Sequence, residues 1–267
     1  MQQLTGERPI EGKTPAGILA LHDAGYRAVA DAARPGRFLD VGCGLGDYAA
    51  TFASPKCAVF GIDYDSLTAY QAHAIHPELS TVCSDGAVLP WRDATFDTVC
   101  SSHLIEHFTD PEPHVAELAR VCADDGVVCI VTPNAPADFE NPYHLYLFDP
   151  ADLQRMLERH FADVTVTGLD GDDELKAEFE QRRRFGRAVL KADVLNLRHR
   201  LPRRAYVEMH ALARRVAYPL VRLKQRFDRT QGVAAPSAVT ADNFHLTEAI
   251  DESTLVLFAV ARKPLRP

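Results

Sequence analysis

The chain has 267 residues, 46% of them hydrophobic and 25% charged, with a formal net charge of −8, which suits one large globular domain or one domain with an appendage. No apolar run approaches the roughly 20 residues that span a bilayer, and residues 1–35 lack the charged start and apolar stretch of a signal peptide, so a cytoplasmic protein is expected. All six cysteines fall between Cys43 and Cys129 with no Cys-x-x-Cys pair, which argues against a structural zinc site or a disulfide framework and leaves no metal expected.

Residues 1–13 show no periodicity and read as a flexible arm. From Thr14 to Ala33, Ile18, Leu19, Leu21, Tyr26, Val29 and Ala33 recur at near-helical spacing behind Pro15, which predicts one or two helices. The stretch Arg37 to Tyr48 then reads as a buried strand, Phe38-Leu39-Asp40-Val41, running into the turn Gly42-Cys43-Gly44-Leu45-Gly46, with a helix beginning near Leu45. The spacing Gly-x-Gly-x-Gly separates two classes of nucleotide site. A dinucleotide fingerprint needs a further glycine where Asp47 stands, and that carboxylate would repel a pyrophosphate. No Gly-Lys-Ser/Thr follows, so a P-loop is excluded as well. The turn therefore suits a ligand without phosphates, a sulfonium nucleoside being one; a purely structural strand-to-helix turn is the alternative.

Cys57 to Asp63 forms a second strand ending in a carboxylate, 21 residues beyond Gly42, where an acidic side chain reaches the ribose hydroxyls of a nucleoside. Asp63 and Asp65 are both also suited to cap the next helix, so one can cap while the other binds. A third strand runs from Leu79 toward Asp85-Gly86, and the turn Leu89-Pro90-Trp91 follows. The fourth, Thr95 to Ser102, is continuously apolar, as in a parallel sheet buried on both faces, and runs into His103-Leu104-Ile105-Glu106-His107. Asp110-Pro111 opens a helix with Val115, Leu118, Ala119 and Cys122 inward. Gly126 to Thr132 is a fifth strand, Asp149-Pro150 opens a helix whose Leu153, Met156, Leu157 and His160 share a face, and a sixth strand begins at Val164. The last strand, Thr254 to Val260, comes after a long interval. Strands alternating with helices at these intervals imply a doubly wound parallel sheet.

The long interval is chemically distinct. Between Asp172 and Thr230, 16 Lys or Arg stand against 8 Asp or Glu, whereas the rest of the chain is acidic. Met209, Ala213, Val216, Leu220, Leu223 and Phe227 recur at helical steps, interrupted by Pro202 and Pro219. Such a basic helical insert could be a solvated face, an acceptor lid, a dimer contact or a surface lying on anionic lipid, the membrane reading being the less favoured. The chain divides into an N-terminal arm with helices (1–36), a cofactor-binding domain (37–171 plus 240–267) and the insert (172–239).

With Leu39-Asp40-Val41-Gly42-Cys43-Gly44-Leu45-Gly46, the acidic Asp63, Asp85 ahead of Leu89-Pro90-Trp91, and Phe96 to Val99 leading to Glu106-His107, the chain resembles the class I S-adenosylmethionine-dependent methyltransferases, in particular the branch that methylates small molecules, sugars and lipids. The resemblance covers about Arg37 to Leu169 plus the final strand. It implies a seven-stranded, Rossmann-like sheet of order 3-2-1-4-5-7-6 with only the seventh strand antiparallel, and S-adenosyl-L-methionine as cofactor. By the same resemblance Gly42, Cys43, Gly44 and Gly46 pass under the methionine and ribose, Asp40 helps to order the amino group, Asp63 takes the ribose hydroxyls with Tyr64 beside it, Asp85 and Gly86 meet the adenine edge, and Ser102 closes the site.

Transfer from a sulfonium is an in-line displacement that requires the acceptor within about 3–3.5 Å of the methyl carbon and removal of its proton. His107, at the carboxyl edge of the sheet, is the first candidate for the base, with His144 and His103 as rivals. The tetrad Asn/Asp-Pro-Pro-aromatic of nucleic-acid base methylases is absent after the fourth strand, where Ser101-Ser102-His103-Leu104 stands, and Asn141-Pro142-Tyr143 comes one strand too late. The expected reaction is O-methylation of a small-molecule, sugar or lipid-linked acceptor, with no nucleic-acid partner and a homodimer possible. A nicotinamide-dependent dehydrogenase, a non-catalytic cofactor-binding docking domain, and N- or C-methylation are the competing readings.

Overall fold

A computed structural model describes residues 14–138, 144–173, 175–177, 179, 180, 183 and 239–266. The elements are α1 (Ala16–Ala32), β1 (Gly36–Val41), β2 (Cys57–Asp63), α2 (Ser66–Ile75), β3 (Leu79–Cys83), β4 (Phe96–Ser102), α3 (Glu112–Val121), β5 (Cys122–Pro133), α4 (Pro150–Leu157), β6 (Phe161–Gly171), β7 (Phe244–Thr247) and β8 (Val256–Pro264), with short 3₁₀ turns between them. The eight strands form one sheet in the order β3-β2-β1-β4-β5-β8-β6-β7. β1 to β5 pair in parallel, and β8 enters antiparallel between β5 and β6.

Alternation along the central strands decides which layer each side chain joins. Phe38, Cys100, Cys129 and Val131 face the layer of α1 and α2, where Leu21, Val29 and Ala72 are buried. Leu39, Val99, Val128 and Ile130 face α3 and α4, against Val115, Leu118, Leu153 and Leu157. Both faces being covered, β4 and β5 read as near-continuous apolar runs. Each fully buried Leu or Ile in these layers contributes roughly 1.5–3 kcal/mol relative to exposure.

Strand order places the reversal of direction between β1 and β4, and open α/β sheets bind ligands at the carboxyl ends beside such a switch point. Asp63 and Ser102 end β2 and β4, and Gly42 to Gly46, Asp85 and the His103–His107 segment follow the carboxyl ends of β1, β3 and β4 on this edge.

Several expectations are corrected. No α-helix begins near Leu45; the turn is followed only by a 3₁₀ turn at Ala49–Phe52, because Gly42, Gly44 and Gly46 all take positive φ and the chain reaches Pro55 three residues after Phe52. The sheet has an additional strand, β7, antiparallel to β6 at the edge, so the final strand is not the only antiparallel one. Of the one or two helices expected between Thr14 and Ala33, the structure has one, α1. β6 starts at Phe161, and His160 lies beyond α4, its Nε2 2.8 Å from Glu112 Oε1. The N-cap of α3 is Pro111, with Asp110 Oδ1 accepting from the Glu112 amide at 3.1 Å. The arm 1–13, the seam from Met209 to Phe227 and Asn141-Pro142-Tyr143 lie outside the described residues.

Candidate active site

β1 ends at Val41, and the amides of Gly42 and Cys43 both donate to the Ile62 carbonyl, at 2.9 and 2.8 Å, tying the turn to the end of β2. Gly42 (φ +86°) and Gly46 (φ +83°) hold left-handed conformations. A Cβ on Gly42 would meet the Leu104 side chain at 3.0 Å and one on Gly46 would lie 2.5 Å from Leu79 Cδ2, so space as well as conformation demands glycine. Asp47, the residue that breaks the dinucleotide pattern, places Oδ1 2.9 Å from His76 Nε2 at the end of α2.

Asp65 is the helix cap: its Oδ2 accepts from the Thr68 amide at 3.2 Å. Asp63 is buried at the end of β2, with Oδ1 accepting from the Asp65 amide at 2.9 Å. The division of labour between the two carboxylates is thus settled for the cap. Tyr64 follows with its side chain 63% exposed, on the rim rather than in the wall. Asp85 is exposed and closes its own turn, Oδ1 accepting from the Ala87 amide at 2.9 Å, while Gly86 is buried. Ser102 is buried at the end of β4, and its hydroxyl has no hydrogen-bond partner among the described residues.

Asp40 is fully buried beneath the turn and accepts a 2.9 Å hydrogen bond from the Tyr26 hydroxyl of α1. Burial drives its carboxyl up to about 7, against the opposing pull of the Tyr26 hydrogen bond. Tyr26 also stacks on Tyr48, centroids 4.7 Å apart, so α1 clamps both the carboxylate and the far side of the glycine turn.

The second half of the edge is a histidine cluster around Glu106. β4 leads into His103, a non-glycine residue at φ +51°, and the 3₁₀ turn Ile105–His107 follows. The Glu106 side chain is 1% exposed; its Oε2 accepts from the Thr132 hydroxyl at 3.1 Å, and its Oε1 lies 3.5 Å from His103 Nδ1 and 4.0 Å from His144 Nε2. Burial opposes ionisation of this carboxyl, but His103, His144 and His107 outweigh burial and hold it at about 2. The His107 and His144 rings meet edge to face at 5.3 Å. The Glu106 carbonyl accepts the amides of Leu145 and Tyr146, at 2.7 and 3.1 Å, which brings the loop after β5 onto the end of β4.

His144 is oriented by Asp138, with Nδ1 2.7 Å from Oδ1 and both side chains buried. A carboxylate only accepts, so Nδ1 carries the proton and Nε2 is the nitrogen turned toward Glu106. His22 of α1 packs on His103 at 4.4 Å, its basicity lowered well below normal by burial and then by His103.

The structure thus gathers His107 and His144, and places Asp40, Gly42, Cys43, Gly44, Gly46, Asp63, Gly86 and Ser102 along the same edge. Sequence reasoning missed Tyr26, His22, Asp138 and His114. His114 sits on α3 with Nδ1 donating to the Gly86 carbonyl at 2.8 Å and Nε2 accepting from Ser101 Oγ at 2.9 Å; burial lowers it to about 4. It read only as one polar residue in an amphipathic helix, and no spacing signal distinguishes it.

Comparisons with known proteins agree with this layout. A family described as a methyltransferase domain matches residues 39–130. A probable S-adenosylmethionine-dependent methyltransferase of Mycobacterium tuberculosis is 28% identical over 200 residues, 72% of each chain. A phosphatidylethanolamine N-methyltransferase of Cereibacter sphaeroides is 36% identical over 105 residues, 37% of this chain and 51% of that protein. The crystal structure of a possible histamine N-methyltransferase from Thermotoga maritima shares the fold, with a TM-score of 0.59 at 14% identity over 92% of this chain and 91% of that one. The glycine turn after the first strand, the acidic end of the second and the strand order, joined to the methyltransferase-domain match over residues 39–130 and to these likenesses, support a class I S-adenosylmethionine-dependent methyltransferase.

Proposed function

We propose that the protein methylates a hydroxyl oxygen of a small-molecule, sugar or lipid-linked acceptor held against the Glu106–His107–His144 cluster. The observation that carries this reading is the Asp138–His144 pair: the Nδ1 proton is committed to a buried carboxylate, and Nε2 faces the cluster. A hydroxyl must lose its proton to become a competent nucleophile, whereas a neutral amine attacks with its own lone pair. A site that concentrates imidazoles at the acceptor end therefore suits oxygen.

The chain's own residues fit S-adenosylmethionine. The glycine turn follows β1, buried Asp63 ends β2 where the ribose hydroxyls of a nucleoside at that turn would lie, and the unpartnered Ser102 hydroxyl ends β4. When bound, the cofactor supplies an electrophilic methyl group on a sulfonium that leaves as a neutral thioether. The protein's part is to hold the acceptor oxygen in line and to remove its proton at the histidine cluster, with His144 ahead of His107 because Asp138 fixes its tautomer. The exposed Leu145 and Leu147 beside His144 give that end an apolar rim, which agrees with an acceptor of partly apolar character.

The test is transfer of isotopically labelled methyl from S-adenosylmethionine into cell extract separated into aqueous and lipid fractions, followed by chemical identification of the linkage. A methyl ether or ester in either fraction supports the reading and selects between soluble and lipid-linked acceptors. Methylamine or carbon-linked methyl as the product overturns the oxygen assignment. Bound cofactor with no transfer favours a docking domain.

A further inference from the structure

We propose that Glu106, His107 and His144 form a binding site for a divalent cation of the zinc class, open on the side where the acceptor lies; this rests on the reading that the acceptor meets this cluster. One ligand atom from each of the three residues can be chosen so that all lie within 4.8 Å of one another. A tetrahedral ion with bonds of about 2.0–2.2 Å separates its ligands by roughly 3.4 Å, so closure around an ion needs shifts of about 1 Å.

Three independent features point to a cation. Glu106 Oε1 is buried and has no hydrogen-bond partner among the described residues, despite His103 Nδ1 at 3.5 Å. His144 directs Nε2 at that oxygen across 4.0 Å while Nδ1 is held by Asp138. In its neutral form with the proton on Nδ1, His144 can offer Nε2 to an ion, and a cation between it and Glu106 Oε1 would supply the positive charge that protonated histidines otherwise give that carboxylate. Finally, Asp138–His144 is the carboxylate–histidine arrangement that fixes tautomer and ring direction behind a metal ligand. Glu106 is itself steadied through Oε2 by Thr132 at 3.1 Å.

Two imidazoles and one carboxylate form a donor set for zinc and its neighbours rather than for magnesium or calcium. Three protein ligands leave a coordination position for an oxygen, which suits a catalytic rather than a structural site. With the ion bound, His144 and His107 serve as ligands and no longer as the base: an acceptor hydroxyl bound there would give its proton to water more readily, as metal-bound water does, and its oxygen lone pair would form the new O–C bond as the C–S bond breaks and the sulfur keeps the electron pair. The cysteine spacing that argued against a structural zinc site does not bear on these ligands.

The full chain, dialysed against chelator, is titrated with Zn²⁺ by calorimetry and with Co²⁺ by visible absorbance. Saturable binding of one ion per chain is expected. It should be lost in His107→Ala and His144→Ala, and weakened 10–100-fold in Asp138→Asn. Affinity for S-adenosylhomocysteine should be retained in each variant, as a check on folding; Glu106→Gln is an additional variant whose burial makes that check necessary. Absence of saturable binding by the wild-type chain, or binding unchanged in both histidine variants, overturns the metal site. Undiminished methylation of a hydroxyl acceptor in chelator, with no bound ion, removes the metal and leaves the oxygen reading standing. Zn²⁺ binding without transfer to any hydroxyl removes the oxygen reading and leaves the ion site.

Discussion

At the glycine-turn end, the groups that border the groove sit at or directly after strand termini: Gly42 to Gly46 follow β1, Asp63 closes β2 and Ser102 closes β4. At the histidine end, the groups come from β4's exit and from a loop about thirty residues further on, and they are joined by side chain to side chain: Asp138 to His144, His144 to Glu106, His107 to His144. The first region is shaped by backbone geometry, so losing one side chain removes a ligand contact and leaves the shape standing; the second is a network in which each member positions another. The difference teaches where each will fail.

The largest effect is expected at the network. His144→Ala should lower kcat by about 10²–10⁴-fold with cofactor affinity little changed, measured by turnover alongside calorimetric titration of S-adenosylhomocysteine; retained turnover would remove His144 from the chemistry. Asp63→Ala should show the opposite split. Loss of hydrogen bonds to a charged carboxylate, worth about 1.5–3 kcal/mol each, should weaken cofactor binding severely while the fold persists, and unchanged affinity would displace the nucleoside from this position. Gly46→Ala tests the backbone side directly. With φ at +83° and Leu79 in the way, it should reduce cofactor affinity and thermal stability together, the left-handed conformation alone costing about 1–2 kcal/mol.

A subtler contrast lies in pH. Asp40, held up at about 7 by burial, favours the folded state when protonated; its contribution is complete below about 4, the unfolded carboxyl value, and is lost as pH rises toward 7. His114, held down at about 4 by burial, acts oppositely: its contribution is complete above about 6.5 and is lost as pH falls toward 4. The two trends oppose each other in the wild-type chain. Urea midpoints between those limits should therefore fall more steeply on acidification in Asp40→Asn, which removes the compensating trend, and less steeply in His114→Gln. Parallel profiles in all three proteins would refute both assignments. The smallest expected effect is the helix cap: Asp65→Ala should cost about 1 kcal/mol in thermal or denaturant unfolding, with Asp63-dependent cofactor affinity unmoved.

Period and punctuation in the chain were enough to place the parallel core, since β1, β2, β4 and β5 are largely apolar runs bounded by glycine, proline or carboxylates, with helices α2 and α3 between β2 and β3 and between β4 and β5. The same local signals singled out Asp63 through its distance from Gly42, because parallel pairing of β1 with β2 brings the two strand ends together even though only a 3₁₀ turn connects them. They misjudged the segment after the glycine turn, where three positive φ angles replace the expected helix. They also missed β7, whose four residues acquire strand conformation from pairing with β6 rather than from their own pattern.

What the sequence by itself determined in the cofactor-binding half is therefore its parallel strands, its glycine turn and its acidic strand end, consequences of short-range propensity and spacing, whereas the strand order came only with the family resemblance. Only the tertiary structure decided that Tyr26 reaches Asp40, that His114 supports Gly86, and that Asp138 orders His144 against Glu106. Those contacts join residues of unremarkable local pattern across separate elements, and a hydrogen bond between side chains on two elements leaves no periodic trace in either one.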